Sequence, residues 1–197
     1  MAVKGDPGHK RTQAERRATT RAALLDAARA LFADKGFAAT GREEIVERAG
    51  VTRGAMYHHF ASKDALFQAV YEQIEGELMA AIMAAAETTA DPVEMLRRGA
   101  SAFLDAAADP AVRRVVLLDA PSVLPPTLRR ELTEQYGLGA TRAVLEAAMH
   151  RGEVREAPVD ALATVVLAAM HAAAELVAEG HDRGAVGEIG DRMIEGL

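Results

Sequence analysis

Apolar residues recur every three or four positions through most of this 197-residue chain, and no stretch alternates between apolar and polar residues as a half-buried strand does. The spacing of the first apolar residues predicts a helix over residues 20–35, which Gly36 ends. Capping residues and helix-initiating prolines, with the same spacing, predict eight more helices, at residues 40–50, 52–60, 62–82, 92–108, 110–119, 127–151, 158–179 and 182–194. Gly137 and Gly139 weaken the helix over 127–151 and are expected to kink it. The chain is therefore predicted to be all-α, with about nine helices.

The amino-acid composition agrees with this prediction and excludes several kinds of chemical site. Half of the residues are hydrophobic and only 4% are aromatic, a balance that favours helices because Ala and Leu lose little side-chain entropy in them. The same balance excludes a wholly disordered chain. Cysteine is absent, which excludes disulfides, thiolate metal sites and a cysteine nucleophile.

Charge is distributed unevenly along the chain. Residues 1–63 carry 12 Lys and Arg against 7 Asp and Glu, a balance of +5, whereas the remainder carries 11 against 22, a balance of −11. A basic N-terminal part on an acidic body is typical of a polyanion-binding module joined to a different domain, with chance clustering of solvated charges as the alternative. The densest basic stretch falls within residues 1–19, which are predicted to form a flexible arm that contacts phosphates or enters a minor groove.

Residues 42–60 have the spacing of a helix-turn-helix. Such a motif needs a compact residue where the helices cross, a glycine four residues later for a left-handed turn, and an apolar anchor six residues beyond that. Val46, Gly50 and Met56 meet this spacing, although Val46 is bulkier than the Ala often found at the crossing. The remaining residues of the third helix leave it a polar surface that can enter a major groove.

The same region resembles the N-terminal domain of the TetR family of bacterial transcriptional regulators. The likeness covers roughly residues 20 to 70 and is carried by the runs LFADKGFAAT at 31–40, AGVTRGAMYHHF at 49–60 and SKDAL at 62–66, with Ile45 between them. Two departures are Val46, where the family usually has Ala, and Gly41-Arg42, where it usually has a hydroxyl residue and an apolar one. The second departure is expected to loosen the start of helix two or to give Arg42 a phosphate contact.

The resemblance implies a domain organisation and a function. It implies a helix-turn-helix DNA-binding domain at residues 20–66 and a helical ligand-binding and dimerisation domain at residues 67–197. In that reading a homodimer places helix three of each subunit in successive major grooves of a double-stranded, palindromic operator. A small-molecule effector then releases the DNA, so that the simplest function is that of a repressor.

Residue roles in DNA binding follow from the same resemblance. Thr40, Tyr57 and Lys63 are assigned to phosphates, with packing as the alternative for Tyr57. Arg53 is expected to pair with a guanine edge, and Met56 is expected to lie in the core. The predicted DNA-binding residues are Thr40, Arg42, Thr52, Arg53, Gly54, Ala55, Tyr57, His58 and Lys63.

The C-terminal domain is predicted to contain the dimer interface and a ligand pocket. The last two helices, at 158–179 and 182–194, are expected to pair with their copies, since alanines such as Ala168 and Ala172 allow close approach. A pocket is expected between helices four to eight, with plain core or surface as the alternative for each candidate residue. The candidate pocket residues are Phe103, Leu118, Asp119, Tyr136, Met170 and His171.

Other functions find less support in the sequence. No phosphate loop, nucleophile elbow or zinc-protease signature is present, so an enzyme is not predicted, and no cofactor is implied. His171 and Glu175 are four residues apart, but two ligands without a third define no metal site. A DNA-organising protein of the same fold without a ligand switch remains the alternative function.

The chain is also expected to act in the cytoplasm and away from membranes. Its first residues are charged and lack the continuous apolar stretch of a signal peptide. The most apolar window, residues 161–178, is rich in Ala and contains His171. It is therefore predicted to be a buried helix of a soluble protein rather than a membrane span.

Overall fold

The computed structural model describes residues 12–197, and this part of the chain forms nine helices and no strand. The all-α prediction is therefore confirmed for the described residues. The helices are α1 (Gln13–Ala39), α2 (Arg42–Ala49), α3 (Arg53–His59), α4 (Lys63–Ala86), α5 (Pro92–Ala106), α6 (Val112–Asp119 continued by Ala120–Val123), α7 (Pro126–Thr133, Glu134–Leu138 and Gly139–His150 in one run), α8 (Val159–Ala178) and α9 (Arg183–Glu195).

The first helix begins earlier than its apolar spacing predicts. Thr12 and Glu15 form a capping box, in which the Glu15 backbone N–H donates to Thr12 Oγ1 at 3.2 Å and the Thr12 N–H donates to Glu15 Oε2 at 2.6 Å. Residues 13–19 are thus helical, and the prediction of a flexible arm there is wrong. Residues 1–11 of the predicted arm lie outside the described residues.

Two helices contain π-helical stretches. In α7 the stretch Glu134–Leu138 lies where glycines were predicted to weaken the helix, and the helix continues through it. In α6 the stretch Val112–Asp119 forms most of the helix. Because a π-helix bonds residue i to i+5, side chains in these stretches shift away from the face that a 3.6-residue repeat predicts.

The core joins the N-terminal helices to the rest of the protein through α4. Phe32 and Phe37 of α1 and Phe67 of α4 form an aromatic cluster with ring centroids 5.1 to 5.8 Å apart. Beyond Phe67, α4 packs along α5. One continuous helix therefore connects the three N-terminal helices to the C-terminal bundle.

Helix α8 departs from the prediction that it is buried. Only Ala163, Ala174 and Ala178 of this helix are buried in the single chain. Among the described residues, α8 is the one helix whose length and composition would allow it to cross a membrane. Most of its other apolar residues are only partly buried, and Ala161, Val165, Ala168, Ala172 and Leu176 are exposed. The prediction of a buried helix is therefore wrong for the single chain.

Candidate DNA-binding surface and ligand cavity

Helices α2 and α3 form the predicted helix-turn-helix. Gly50 takes the left-handed conformation, with φ of 65°, and its backbone N–H donates to the Glu47 carbonyl at 3.1 Å. The next N–H, of Val51, closes the turn on the Val46 carbonyl at 3.2 Å. Met56 is fully buried and anchors α3 in the core. The spacing of Val46, Gly50 and Met56 therefore produces the turn that the sequence predicts.

Helix α3 presents one exposed polar face. Arg53, Gly54, Tyr57 and His58 are exposed, whereas Ala55 is half-buried. Apart from the backbone of α3 and the chain neighbours of Gly54, no heavy atom lies within 4 Å of the position that a Cβ there would occupy, so the backbone is open to close approach. Arg53, Gly54, Tyr57 and His58, all predicted to bind DNA, thus lie on this exposed face, and their contacts with DNA stay predictions.

Thr52 begins α3 rather than projecting freely from it. Its Oγ1 accepts a hydrogen bond from the Ala55 backbone N–H at 3.2 Å, which caps the helix. Gly41, by contrast, begins α2 with no side-chain cap. The positive end of α2 is instead balanced by Glu43 and Glu44 in its first turn.

Tyr57 lies at the centre of the cationic groups on this surface. Arg42 Nη1 donates to the Tyr57 hydroxyl at 3.3 Å, and the Arg53 guanidinium lies 5.9 Å from the Tyr57 ring centroid. Hydrogen bonding and charge interaction with Tyr57, followed by Glu43, raise the pKa of Arg53 above its ordinary value. Glu43 Oε1 is 3.7 Å from Arg53 Nη1 in a fully exposed pair, which binds Arg53 only weakly. Arg53 is therefore charged and able to turn toward a ligand.

The first turns of α1 add basic residues beside the end of α3. The Arg21 guanidinium lies 5.1 Å from the Phe60 ring centroid. Burial lowers the pKa of His59, and charge interactions with His58, Arg17 and Arg21 lower it further. Arg17 and Arg21, assigned from the sequence to or near a flexible arm, thus belong to a helical basic surface next to α3.

Thr40 is buried and does not face this surface. It is only 2% exposed, and its hydroxyl donates to the Gly36 carbonyl at 2.7 Å. The hydroxyl closes the C-terminal end of α1, where Gly36 has φ of 82° and interrupts the helix. The predicted phosphate contact through the Thr40 hydroxyl is therefore wrong.

Lys63 has a structural role that the sequence does not indicate. Its Nζ donates to the carbonyls of Phe37 at 2.8 Å and Thr40 at 3.0 Å, and it lies 4.1 Å from the Phe37 ring centroid. Two of its three N–H donors are used inside the protein. Lys63 thus ties the start of α4 to the corner between α1 and α2, and a phosphate contact through its third N–H stays a prediction.

We expect Lys63→Met to lower the free energy of unfolding by about 1–2 kcal/mol, since hydrogen bonds from a charged donor contribute more than neutral ones. Lys35→Met is the control, because Lys35 makes only a partly exposed ion pair with Glu44, and its loss is expected to cost less than about 1 kcal/mol. Urea unfolding of the three proteins measures both values. Equal losses for the two variants would contradict the structural role.

Asp119 joins α6 to the C-terminal end of α1. Its Oδ2 accepts a hydrogen bond from the Phe37 backbone N–H at 2.6 Å, and its Oδ1 lies 3.3 Å from Arg114 Nε. A Cβ on Gly36 would lie 2.5 Å from that Arg114 nitrogen, so the guanidinium packs directly on the α1 corner. Leu118 also lies outside the cavity wall. Leu118 and Asp119, both predicted from the sequence to line a pocket, thus do not line the cavity.

A cavity of about 300 Å³ lies between α4, α5, α7, α8 and the end of α9. Its wall is mostly apolar, as expected for a small-molecule site. Four of the six predicted pocket residues line it: Phe103, Tyr136, Met170 and His171.

Glu75 lines the same cavity and was missed by the sequence analysis. It is 8% exposed and lies on the buried face of α4, one turn after Tyr71. Burial raises the pKa of Glu75, while the Tyr71 hydroxyl and His171 act to lower it. Burial and the Glu75 carboxyl in turn raise the pKa of Tyr71.

His171 completes the polar end of the cavity. Its Nδ1 is 3.0 Å from the Leu167 carbonyl oxygen, so this nitrogen carries a hydrogen. Its ring meets Phe103 edge-on, with centroids 5.1 Å apart. Glu175, four residues later, does not line the cavity, and residues 12–197 contain no group of three potential metal ligands.

An apolar stripe runs along the outside of α8 and α9. Val165 is 62% exposed and Ile189 is 55% exposed, and Leu176 and Met193 are exposed beside them. On α8 the exposed residues Val165, Ala168, Ala172 and Leu176 recur every three or four positions, which places them on one face. We call these six residues, Val165, Ala168, Ala172, Leu176, Ile189 and Met193, the apolar stripe.

Two family models match the chain, and together they span both parts of it. Residues 24–70 match the model described as bacterial regulatory proteins, tetR family. Residues 93–197 match the model described as tetracyclin repressor-like, C-terminal domain.

Individual relatives agree with the family models. The chain is 38% identical over 98 residues to the transcriptional activator FasR of Mycolicibacterium smegmatis, covering 50% of this chain and 45% of FasR. It is 36% identical over 77 residues to the transcriptional repressor KstR2 of Mycobacterium tuberculosis, covering 39% of this chain and 38% of KstR2. The matches thus span less than half the length of these curated relatives.

A solved structure extends the likeness to nearly the whole chain. The crystal structure of a TetR-family transcriptional regulator from Pectobacterium atrosepticum is 34% identical in sequence. It superimposes with a TM-score of 0.76 and covers 94% of each chain. With its helix-turn-helix, its two matching domains and this relative, the chain belongs to the TetR family of bacterial transcriptional regulators.

Proposed function

We propose that this protein is a homodimeric, ligand-responsive regulator that binds a palindromic operator and acts as a repressor released by a small molecule. The observation that carries the proposal is the exposed face of α3, where Arg53, Gly54, Tyr57 and His58 lie together. Arg17 and Arg21 of α1 flank the far end of this helix. A polar helix with basic neighbours has the shape and charge that major-groove binding requires.

The apolar stripe supports the dimer. Exposed apolar residues at a helical repeat lose contact with water when a second copy covers them, and a two-fold axis pairs the same patch of both subunits. Ala168 and Ala172 lie within it and allow the backbones of paired helices to approach closely. Pairing through α8 and α9 also accounts for the exposure of α8 in the single chain.

The cavity and the DNA-binding helices share structural elements, which supports a ligand switch. Helix α4 begins at Lys63, which holds the corner between α1 and α2, and continues to Glu75 in the cavity wall. Asp119 of α6 holds the same corner from the other side through the Phe37 N–H. A ligand that displaces α4 therefore changes the position of α3 in each subunit, and with it the spacing between the two α3 helices of the dimer.

The cavity also separates this proposal from the alternative of a DNA-organising protein without a ligand switch. That alternative predicts a C-terminal domain whose interior is filled by side chains. The volume of about 300 Å³ lined mainly by apolar groups favours an effector site. FasR carries the name of an activator and KstR2 that of a repressor, so a promoter assay determines the direction of regulation.

The salt dependence of DNA binding tests the proposed function. On a duplex carrying a selected binding site, we expect the affinity to fall steeply and linearly on logarithmic axes as salt increases, because phosphate contacts release counterions. Fluorescence anisotropy with an excess of unrelated duplex measures it. An affinity that does not change with salt would count against a sequence-specific regulator. Displacement of the protein from the selected duplex by the unrelated duplex would also count against it.

A further inference from the structure

The charged groups around the cavity are predominantly acidic. Glu75 and Glu87 line it, and no Lys or Arg of residues 12–197 is part of its wall. The Arg129 guanidinium, which is not part of the wall, acts to lower the pKa of Tyr71. His171 is thus the one basic side chain among the described residues of the lining.

The rest of the wall suits a large, polarisable group. Three aromatic rings line the cavity, and ring faces attract cations. Four methionines add flexible thioethers that adapt to ligands of irregular shape. These residues are Tyr71, Phe103 and Tyr136, and Met79, Met83, Met95 and Met170.

Among residues 12–197, no Lys or Arg forms an ion pair with Glu75, and His171 is the one basic side chain that acts on its carboxyl group. A carboxylate removed from water is costly unless a cation or several hydrogen bonds compensate it. Its partners are the Tyr71 hydroxyl and the His171 ring, and the Nδ1 of that ring is occupied by the Leu167 carbonyl. A cationic ligand would supply the missing charge, whereas an anionic ligand would face the carboxyl group at close range.

We propose that the cavity binds an apolar organic cation, whose charged nitrogen lies against Glu75 and the surrounding aromatic rings. This inference rests on the proposed role of the cavity as the effector site and adds the chemical class of the effector. The hydrophobic part of the ligand occupies the space between α5, α7 and α8. Glu75 then acts as the residue that selects cations over anions of equal size.

Three probes with the same eight-carbon chain test the charge preference. Octyltrimethylammonium, octanesulfonate and 1-octanol are titrated into the full-length protein in an isothermal calorimeter. We expect the ammonium to bind at least about ten-fold more tightly than the sulfonate and the alcohol, as one charge-assisted contact provides. Equal or tighter binding of the sulfonate or the alcohol, or no binding of the ammonium, would overturn the inference.

Substitutions then test the role of Glu75. We expect Glu75→Gln to weaken ammonium binding by about ten-fold or more while leaving 1-octanol binding within about two-fold, since the side chains have nearly the same shape. Glu72→Gln makes the same change on α4 outside the cavity wall, and its ammonium affinity is expected to match that of the unmodified protein. A Glu75→Gln protein with unchanged ammonium affinity would contradict the assignment, and if this variant does not fold, the comparison of the three probes decides.

A DNA-release assay separates this inference from the proposed function. Release of a selected duplex by the ammonium and not by the sulfonate supports both. Ammonium binding without any effect on DNA supports the cation site and contradicts the ligand switch. Release by the sulfonate alone contradicts the cation site while the regulator function stands.

Discussion

Ala172→Asp is expected to convert the proposed homodimer into monomers. Ala172 is exposed near the middle of the apolar stripe on α8, where a two-fold axis brings each residue close to the partner's copy of the same surface. The substitution buries a carboxylate from each subunit without a cation to pair with it. Unpaired buried charges cost about 3–5 kcal/mol. The dissociation constant of the dimer is therefore expected to rise at least about 100-fold.

Ala147→Asp is the matched control for this substitution. Ala147 is also an exposed alanine within a helix, on α7, and it lies outside the apolar stripe and the cavity wall. The change in charge and helix propensity is therefore the same at both positions. Sedimentation velocity over a range of concentrations measures the masses, and a dimeric Ala172→Asp protein would show that the interface lies elsewhere.

Arg53→Ala is expected to remove sequence preference at one position of each half-site. Arg53 is exposed on α3 and held only by a weak pair with Glu43 and by the Tyr57 ring. A guanidinium that pairs with a guanine edge contributes about 1–3 kcal/mol of discrimination. Because the proposed dimer presents two copies, the loss of affinity for the full palindrome is expected to be about twice that value.

The comparison of Arg53 with two other arginines makes this prediction specific. Arg42→Ala, at a proposed phosphate contact, is expected to weaken binding to all sequences equally and to reduce the salt slope by about two, one for each subunit. Arg113→Ala removes an exposed arginine of α6 and is expected to leave DNA binding unchanged. Competition among duplexes that differ at one base pair measures the preference, and an Arg53→Ala protein with unaltered preference would show that Arg53 does not contact a base.

The sequence predicts the parts of this fold that depend on local interactions. The turn at Gly50 follows from its left-handed conformation, and the caps at Thr52, Ser62 and Asp91 each accept the N–H that their positions predict. The start of α1 at Gln13 was also predictable, since Thr12 and Glu15 have the spacing of a capping box. The apolar repeat of α1 begins later and gave too short a helix.

Side-chain roles that depend on distant partners could not be predicted in this way. Lys63 has the same ammonium group whether it contacts a phosphate or the carbonyls of Phe37 and Thr40, which lie 26 and 23 residues away in sequence. Asp119 accepts a hydrogen bond from the backbone N–H of Phe37, which is 82 residues away, and it lies at the end of a π-helical stretch. The spacing of apolar residues over 112–119 does not distinguish that stretch from an ordinary helix.

The apolar repeat of α4 does not predict that Glu75 lines a ligand cavity. It follows Ile74 on a helix that the sequence predicts correctly, and a charged residue among apolar ones is usually assigned to the solvent side. The structure buries it beside Tyr71 and His171 in the cavity wall. A carboxyl group within the apolar repeat of α4 was the available signal, but its significance depends on helices far away in sequence.

Selection of bound sequences from random duplex DNA tests the central claim most directly. The purified full-length protein is used at about 150 mM salt, where non-specific phosphate binding is weakened. The account predicts a palindrome whose half-sites are separated by about one helical turn or slightly more, as two α3 helices related by a two-fold axis require. Recovery of sequences without a shared motif would contradict a dimeric, sequence-specific regulator.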